Sequence, residues 1–291
     1  MKNDKYVVTL TQSIGEIGLS FLFNQDAFKF KEDINDDFSS NIQTEIKLQV
    51  HFDDFPEAKR EEKIFDSEST WSLYRSQKKY FLYACSLELN FLPRKLLILE
   101  SDFNSGDLFI KNGKIDQDIF PDPLGYPLNQ ILMIILLSRS KGALLHACGI
   151  YDGNFGYLFL GNSGHGKSTI SKIWFENKSI VLNDDRIIIR EKDRTFWIYG
   201  TPWHGDFTEW SLKGLPINKI FFLRHGERNS IAPIKGTDAV SMILTRSFPP
   251  LWDQNGMDYT LGLFDRMAST LPCYELHFLP DKNIIDFVRN I

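Results

Sequence analysis

The stretch that decides the fold lies between residues 156 and 176: Gly156-Tyr-Leu-Phe-Leu160, then Gly161-Asn-Ser-Gly-His-Gly-Lys167-Ser168-Thr169, then Ile170-Ser-Lys-Ile173-Trp174-Phe-Glu176. The first segment is an apolar run of strand length, and the last has apolar residues at helical spacing. The middle segment fits the pattern G-x-x-x-x-G-K-[ST] without departure. The sequence therefore predicts a buried strand, a phosphate-binding loop, and a helix over residues 167–176.

Each residue type in this loop has a physical reason to be there. The glycines at 161, 164 and 166 permit positive φ angles and close backbone approach, so successive N–H groups can surround an anion at a helix N-terminus. Lys167 would place its charge on the β- and γ-phosphates and Ser168 its hydroxyl on Mg²⁺. We therefore predict an ATP and Mg²⁺ site formed by Gly161, Asn162, Ser163, Gly164, His165, Gly166, Lys167, Ser168 and Thr169. The alternative is a chance match in a glycine-bearing turn.

Two adjacent acids end the next predicted strand, Ile180-Val-Leu-Asn-Asp184-Asp185. An apolar strand that ends in an acid suits a Mg²⁺ ligand. Two carboxylates can divide the work, one on the metal and the other accepting the proton of an attacking hydroxyl. The residues do not say which acid has which role. The alternative is an Asn-Asp-Asp turn that joins two strands.

Composition excludes several classes of protein. The chain has 291 residues, a formal net charge of −5 and no long basic run, which argues against a broad nucleic-acid or anionic-membrane surface. Its longest apolar run, 131–137, is shorter than the ~20 residues that span a bilayer. Cys85, Cys148 and Cys273 form no CxxC pair, so neither a disulfide framework nor a zinc site is expected. With no signal-peptide pattern, we expect a cytoplasmic protein with reduced thiols.

The pass along the chain predicts two domains. Residues 1–118 are β-rich, with alternation at 46–52 and further strands at 71–75, 80–85, 95–100 and 108–111, and the short spacing indicates an antiparallel sheet. Three prolines between residues 121 and 127 mark the boundary. Residues 119–291 are expected to form an α/β nucleotide-binding domain with a mixed sheet. Its predicted strands are 144–150, 155–160, 179–182, 186–190, 196–199, 219–224 and 273–278, and its predicted helices are 128–137, 167–176, 237–246, 261–270 and 283–290.

Four motifs in residues 120–291 together resemble the C-terminal catalytic domain of the HPr kinase/phosphorylase family, and more closely its smaller HPr-kinase-like relatives. They are Leu144-Leu-His146-Ala, the glycine-rich segment, the Asp pair, and Gly200-Thr-Pro-Trp-His-Gly205. The resemblance implies a P-loop fold of that family, with His146 near the transferred phosphoryl group. It also implies that one Asp activates the acceptor hydroxyl while the other binds metal, beside the catalytic role of Lys167 and the metal-binding role of Ser168 that the loop chemistry predicts. A core histidine is the alternative for His146.

The fourth motif continues to Asp206 and is rich in turn residues. We interpret it as a loop that faces the acceptor, with Trp203 as a platform, His204 as a polar contact and Asp206 as an acid. The alternative is a wide turn with a packed tryptophan. Four further residues have two possible interpretations: they could bind the phosphates through their positive charges, or they could lie on the solvated surface. They are Arg224, His225, Arg228 and Arg266.

Two differences from the family bear on which acceptor the protein phosphorylates. A second signature rich in glycine and arginine does not follow the Asp pair, and residues 1–118 do not match the family. The resemblance therefore favours the small relatives that phosphorylate other hydroxyls, including serine of ribosomally made peptides. The prediction is an ATP-dependent kinase with a serine of a protein or peptide as acceptor, bound in part by residues 1–118. A non-catalytic ATP sensor is the main alternative, and the chain is short for a carboxykinase. A homo-oligomer is compatible with the sequence.

Overall fold

The computed structural model of the chain describes residues 6–24, 43–57, 62–86, 92–111 and 122–291. Contacts between residues divide the chain into two compact units, Met1–Met133 and Ile134–Ile291. The boundary predicted between residues 118 and 119 falls outside the described residues. Within the described ranges the architecture is mixed α/β, with two mixed sheets and five helices.

An eight-stranded sheet makes up most of the described part of the first unit, in the order β1-β2-β3-β8-β7-β6-β5-β4. The expectation of an antiparallel sheet is wrong at two pairings, because β3 runs parallel to both β2 and β8. Parallel neighbours need a long connection, and β4 to β7 lie between β3 and β8 in the chain. The strands are β1 (Tyr6–Ile14), β2 (Ile17–Asn24), β3 (Thr44–His51), β4 (Glu62–Asp66), β5 (Trp71–Ser76), β6 (Lys79–Ser86), β7 (Leu92–Glu100) and β8 (Ser105–Ile110).

Helix α1 (Leu128–Leu137) begins one residue after Pro127, a position that suits proline because the first turn of a helix has no partner for its N–H groups. No helix within the described residues is long and apolar enough to cross a membrane.

The second unit is a nine-stranded sheet with helices on both faces. Eight strands follow the order β14-β13-β12-β9-β10-β15-β17-β16, and β11 pairs with β9. Its elements are β9 (Ala143–Asp152), β10 (Phe155–Leu160), α2 (Lys167–Glu176), β11 (Ile180–Asn183), β12 (Arg186–Lys192), β13 (Thr195–Gly200), β14 (Gly214–Pro216), β15 (Lys219–His225), β16 (Ser230–Ile234), α3 (Gly236–Leu244), α4 (Gln254–Thr270), β17 (Cys273–Phe278) and α5 (Asn283–Arg289).

Side chains alternate between two cores along the central strands of this sheet. On β10, Leu158 and Leu160 join the cluster that contains α3 and α4 residues such as Phe264. Tyr157 and Phe159 join the opposite cluster, with Trp174 of α2. Strands β10, β15 and β17 run parallel, so their carboxyl ends meet at one edge. In open α/β sheets that edge is where ligands bind, and the glycine-rich segment leaves β10 there.

The start of α4 differs from the sequence prediction. The helix begins at Gln254, seven residues before the predicted start at Leu261, and the Asp253 side chain accepts a hydrogen bond from the Asn255 N–H. An aspartate in this position stabilises a helix start. The sequence pattern hid this start, because Gly256 and Gly262 offer no apolar side chain and interrupt the helical spacing of the first turns. Glycine is also a poor helix former.

Candidate functional site

Residues 161–169, called here the glycine loop, connect the end of β10 to the start of α2. Gly164 and Gly166 have positive φ angles of 80° and 89°, as predicted. At Gly166 a Cβ atom would lie 2.7 Å from Cζ of Phe278, so both conformation and space require glycine there. Gly161 does not have a positive φ, and the constraint is close packing, since its Cβ would lie 3.0 Å from Cβ of His165.

Lys167 is buried at the first position of α2. Its Nζ donates to the carbonyl oxygens of Gly161 at 2.9 Å and Asn162 at 3.2 Å, and lies 2.7 Å from Nε2 of His146. Burial lowers the pKa of Lys167, and the nearby carboxylate of Asp185 opposes this only in part. The ammonium group therefore sits where an added anion would stabilise its charged form.

The contacts of His146 define which of its nitrogens carries the proton. An ammonium group only donates hydrogen bonds, so Nε2 accepts from Lys167 and the proton of the neutral ring lies on Nδ1. That N–H donates to Oδ1 of Asp185 at 2.9 Å. The Arg186 guanidinium nitrogen lies 3.1 Å from the same Nδ1, a close contact between two donors in this tautomer.

Asp185 is the acid of the pair that joins this network. Oδ1 accepts from His146, and Oδ2 accepts from the Arg186 guanidinium at 2.5 Å. Burial alone raises the pKa of Asp185, but the His146 hydrogen bond and the charges of Arg186 and Lys167 outweigh it, so the pKa is below the ordinary value of 3.8. The carboxylate is therefore ionised at neutral pH.

Asp184, the other acid, is 1% exposed and has different partners. Its Oδ2 accepts from the Ser168 hydroxyl at 2.7 Å and from the Phe207 N–H at 3.0 Å, while Oδ1 accepts from the Gly205 N–H at 2.7 Å. One carboxylate thus connects the glycine loop to the segment that follows β13.

Ser168 and Asp184 provide two adjacent oxygen ligands at the cavity wall. Protein sites for Mg²⁺ use one or two carboxylates and leave the remaining positions to water and substrate phosphates. The residues therefore fit this ion, although no group of three His, Cys, Asp or Glu side chains suited to a metal occurs among the described residues.

Residues 200–206, called here the Trp-His loop, contain the predicted acceptor contacts. Asp206 is exposed, lines the cavity, and makes no side-chain hydrogen bond within the described ranges. Trp203 and His204 do not line the cavity. Trp203 is partly buried and its Nε1 finds no hydrogen-bond partner in the described chain, while the ring of exposed His204 has Nδ1 3.0 Å from the Gly205 carbonyl oxygen.

Most of the predicted site residues line one cavity of about 360 Å³ in the second unit. Among the side chains that line it, none is aliphatic and only the imidazole of His146 is aromatic. The lining residues are His146, Ser163, Gly164, Gly166, Lys167, Ser168, Thr169, Asp184, Asp185, Gly205 and Asp206. Gly161, Asn162 and His165 belong to the same loop but do not line the cavity.

Three of the four candidate clamp residues have other partners, and the fourth, Arg228, does not line the cavity. Arg224 pairs with Glu275 at 2.6 Å, and Arg266 pairs with Glu191 at 2.7 Å. His225 lies outside the glycine loop, with its Nε2 2.7 Å from the Gly164 carbonyl oxygen. None of these side chains lines the cavity.

Two residues of the site were missed in the sequence. Arg186 contacts both Asp185 and His146, and its position directly after the Asp pair was the available signal. Phe248 lies under the Arg186 guanidinium, with 4.4 Å from Cζ to the ring centroid. It stands 62 positions later in the chain, so no local pattern could indicate it.

No protein-family model matches this chain, and no curated protein matches it. Among solved structures, the Hpr(Ser) kinase/phosphatase from Coxiella burnetii is similar over 50% of this chain and 94% of that chain, with 15% sequence identity and a TM-score of 0.33.

Asp184→Asn should destabilise the protein. An asparagine side chain presents an NH₂ group in place of one oxygen, so at least one of the donors from Ser168, Gly205 and Phe207 would lose its acceptor. Leaving a buried donor unsatisfied costs about 1–3 kcal/mol, which urea unfolding monitored by tryptophan fluorescence can measure. Asp206→Asn is the matched control, because Asp206 also lines the cavity but makes no side-chain hydrogen bond to the part of the chain that the structure describes. Equal unfolding free energies for both variants would contradict the assigned contacts.

Proposed function

We propose that this protein is an ATP-dependent kinase that transfers the γ-phosphoryl group to a hydroxyl, with a serine of a protein or ribosomally made peptide as the acceptor. One observation carries the proposal. A single cavity is lined by a glycine-rich turn with a buried lysine, by a serine–carboxylate pair, and by a second carboxylate that is oriented by a histidine. Together these are the parts that phosphoryl transfer requires.

In the proposed mechanism the glycine loop binds the phosphates. Its N–H groups and the N-terminus of α2 attract the anion, and Lys167 neutralises charge on the β- and γ-phosphates. Ser168 and Asp184 are the residues that would hold Mg²⁺, which when bound neutralises phosphate oxygens. The division of labour between the two acids follows from their contacts, since only Asp184 is hydrogen-bonded to Ser168.

Asp185 is then the proposed base. The acceptor oxygen forms a bond to the γ-phosphorus while the bond to the β–γ bridging oxygen breaks, which releases ADP. The hydroxyl proton passes to the carboxylate of Asp185. His146, through Nδ1–H, keeps this carboxylate in orientation, and the low pKa of Asp185 keeps it ionised until the pH falls through that lowered value.

We also propose that Asp206 contacts the acceptor, because it alone of the three predicted acceptor residues lines the cavity. Trp203 and His204 would act further along the bound acceptor. Asp206 is exposed and makes no hydrogen bond with other described residues, so its carboxylate is available to a ligand.

Lys167→Ala should abolish phosphoryl transfer and most of the affinity for MgATP, because the ammonium group beside the loop carbonyls is the cation proposed to contact the phosphates. Calorimetry measures the affinity and ADP release measures turnover. Lys172→Ala removes an exposed lysine from the same helix and should leave both unchanged. Phosphoryl transfer by Lys167→Ala at the rate of the unmodified protein would contradict the proposal. Nucleotide binding without turnover by the unmodified protein would favour an ATP sensor instead.

Asp185→Asn should retain MgATP affinity but lose at least ~10²-fold in turnover, the scale of lost acid–base catalysis. Asp184→Asn should lose turnover by a similar factor while its half-saturating Mg²⁺ concentration rises, since only Asp184 pairs with Ser168. Asp193→Asn, in the exposed turn between β12 and β13, is the matched control. Normal turnover in both site variants would show that the pair is only a turn.

Residues 1–118 are proposed to bind the acceptor, because the sequence there has no glycine-rich loop that could bind phosphates. An exposed sheet edge can add an extended peptide through main-chain hydrogen bonds. A folded fragment of residues 119–291 should therefore bind MgATP with near-native affinity and fail to phosphorylate the acceptor. Circular dichroism would establish folding. Full acceptor phosphorylation by the fragment would contradict this role, and lost ATP affinity would assign residues 1–118 to the nucleotide site.

A further inference from the structure

The strand that carries His146 is hydrogen-bonded on both sides. On one side β12 pairs with β9, and the Ala147 N–H donates to the Asp185 carbonyl oxygen at 3.2 Å. On the other side residues 246–248 run antiparallel to β9. The His146 N–H donates to the Arg246 carbonyl oxygen at 2.8 Å, and the Phe248 N–H donates to Leu144 at 2.9 Å. The backbone of His146 is therefore fixed by segments distant in sequence.

The ring of Phe248 contacts two side chains of the site from this second segment. Cζ of Arg186 lies 4.4 Å from its centroid, a favourable position for a cation on an aromatic ring. The imidazole of His146 meets it edge to face, with centroids 6.4 Å apart and planes at 81°, an arrangement that aromatic rings prefer. Phe248 therefore contacts both residues that hydrogen-bond the Asp185 carboxylate.

Neither Phe248 nor Arg186 lines the cavity, so neither is placed to touch a substrate. Arg186 occupies one oxygen of Asp185 and His146 the other. A ring that limits the movement of both partners limits the rotation of the carboxylate between them. Residues that orient catalytic groups in this way commonly change activity by about 10- to 100-fold when they are replaced.

We propose that Phe248 is a positioning residue, which holds Arg186 and His146 so that the Asp185 carboxylate keeps the orientation needed to accept a proton. This proposal rests on the proposed kinase function. It assigns a catalytic consequence to a residue that has no polar atom and that lies outside the cavity.

The first test measures kcat and KM for MgATP hydrolysis, in which water takes the place of the acceptor, with the full-length protein. Phe248→Leu keeps an apolar side chain but removes the aromatic face. It should lower kcat by about 10-fold or more, with KM for MgATP within about 2-fold, because the phosphate contacts are untouched. Unchanged kcat would overturn the proposal, as would a loss confined to KM.

Rescue and control variants separate positioning from general packing. Phe248→Tyr keeps the ring and should keep kcat within about 3-fold of the unmodified protein. Phe155→Leu is the matched control, since Phe155 is an exposed ring with Lys219 Nζ 5.9 Å from its centroid, outside the site. It should leave kcat unchanged. Equal losses in Phe248→Leu and Phe248→Tyr would overturn the role of the ring face.

A spectroscopic measurement separates this proposal from the kinase function itself. The imidazole nitrogen signals of His146, among six histidines, can be assigned in ¹⁵N-histidine-labelled protein with the variant His146→Gln. The unmodified protein should show a proton fixed on Nδ1, and Phe248→Leu should shift these signals towards a mixture of tautomers, while Phe248→Tyr should not.

Equal ADP release by the unmodified protein and Lys167→Ala would contradict the kinase function. Signals of His146 that are the same in Phe248→Leu would overturn the positioning role whatever the activity.

Discussion

The buried carboxylate of Asp184 accepts hydrogen bonds from three donors in two segments of the chain, and the shape of the cavity depends on them. Ser168 comes from the glycine loop, while the N–H groups of Gly205 and Phe207 come from the segment after β13. A charge this deeply buried is costly unless its oxygens are fully paired. The pairing therefore requires both segments to approach the end of β11, which closes two walls of the cavity against each other.

Asn183 explains how two adjacent acids come to serve different partners. Its Oδ1 accepts from the N–H groups of Asp185 and Arg186, and its Nδ2 donates to the Thr201 carbonyl oxygen. Strand β11 ends at Asn183 itself. The turn that follows directs the Asp184 carboxylate to the Ser168 hydroxyl and the Asp185 carboxylate to the His146 imidazole. Environment, not residue type, thus separates the two carboxylates, as in other sites where paired acids take different roles.

The local parts of the site could be predicted from the sequence because each depends on neighbouring residues. The glycine loop, the helix at Lys167 and the strand before Asp184 have patterns that occupy a few consecutive positions. By contrast, β2 was missed, since most of its described side chains are buried whichever face they occupy, and such a strand shows no alternation. The Arg186–Phe248 contact joins residues 62 positions apart, and its existence depends on residues 246–248 lying beside β9.

The part of the cavity formed by the glycine loop and Lys167 favours an anionic group, because backbone N–H groups and a buried ammonium group meet there. The carboxylates of Asp184, Asp185 and Asp206 line the rest of the cavity. Burial lowers the pKa of Lys167 because Asp185 offsets only part of the cost of removing its charge from water. A phosphate group beside Lys167 would add a negative charge. Its attraction would offset the free-energy cost of burying the Lys167 ammonium group. No aliphatic side chain and no aromatic ring other than the His146 imidazole lines the cavity, so this electrostatic gain would come from the phosphates and not from a nucleobase.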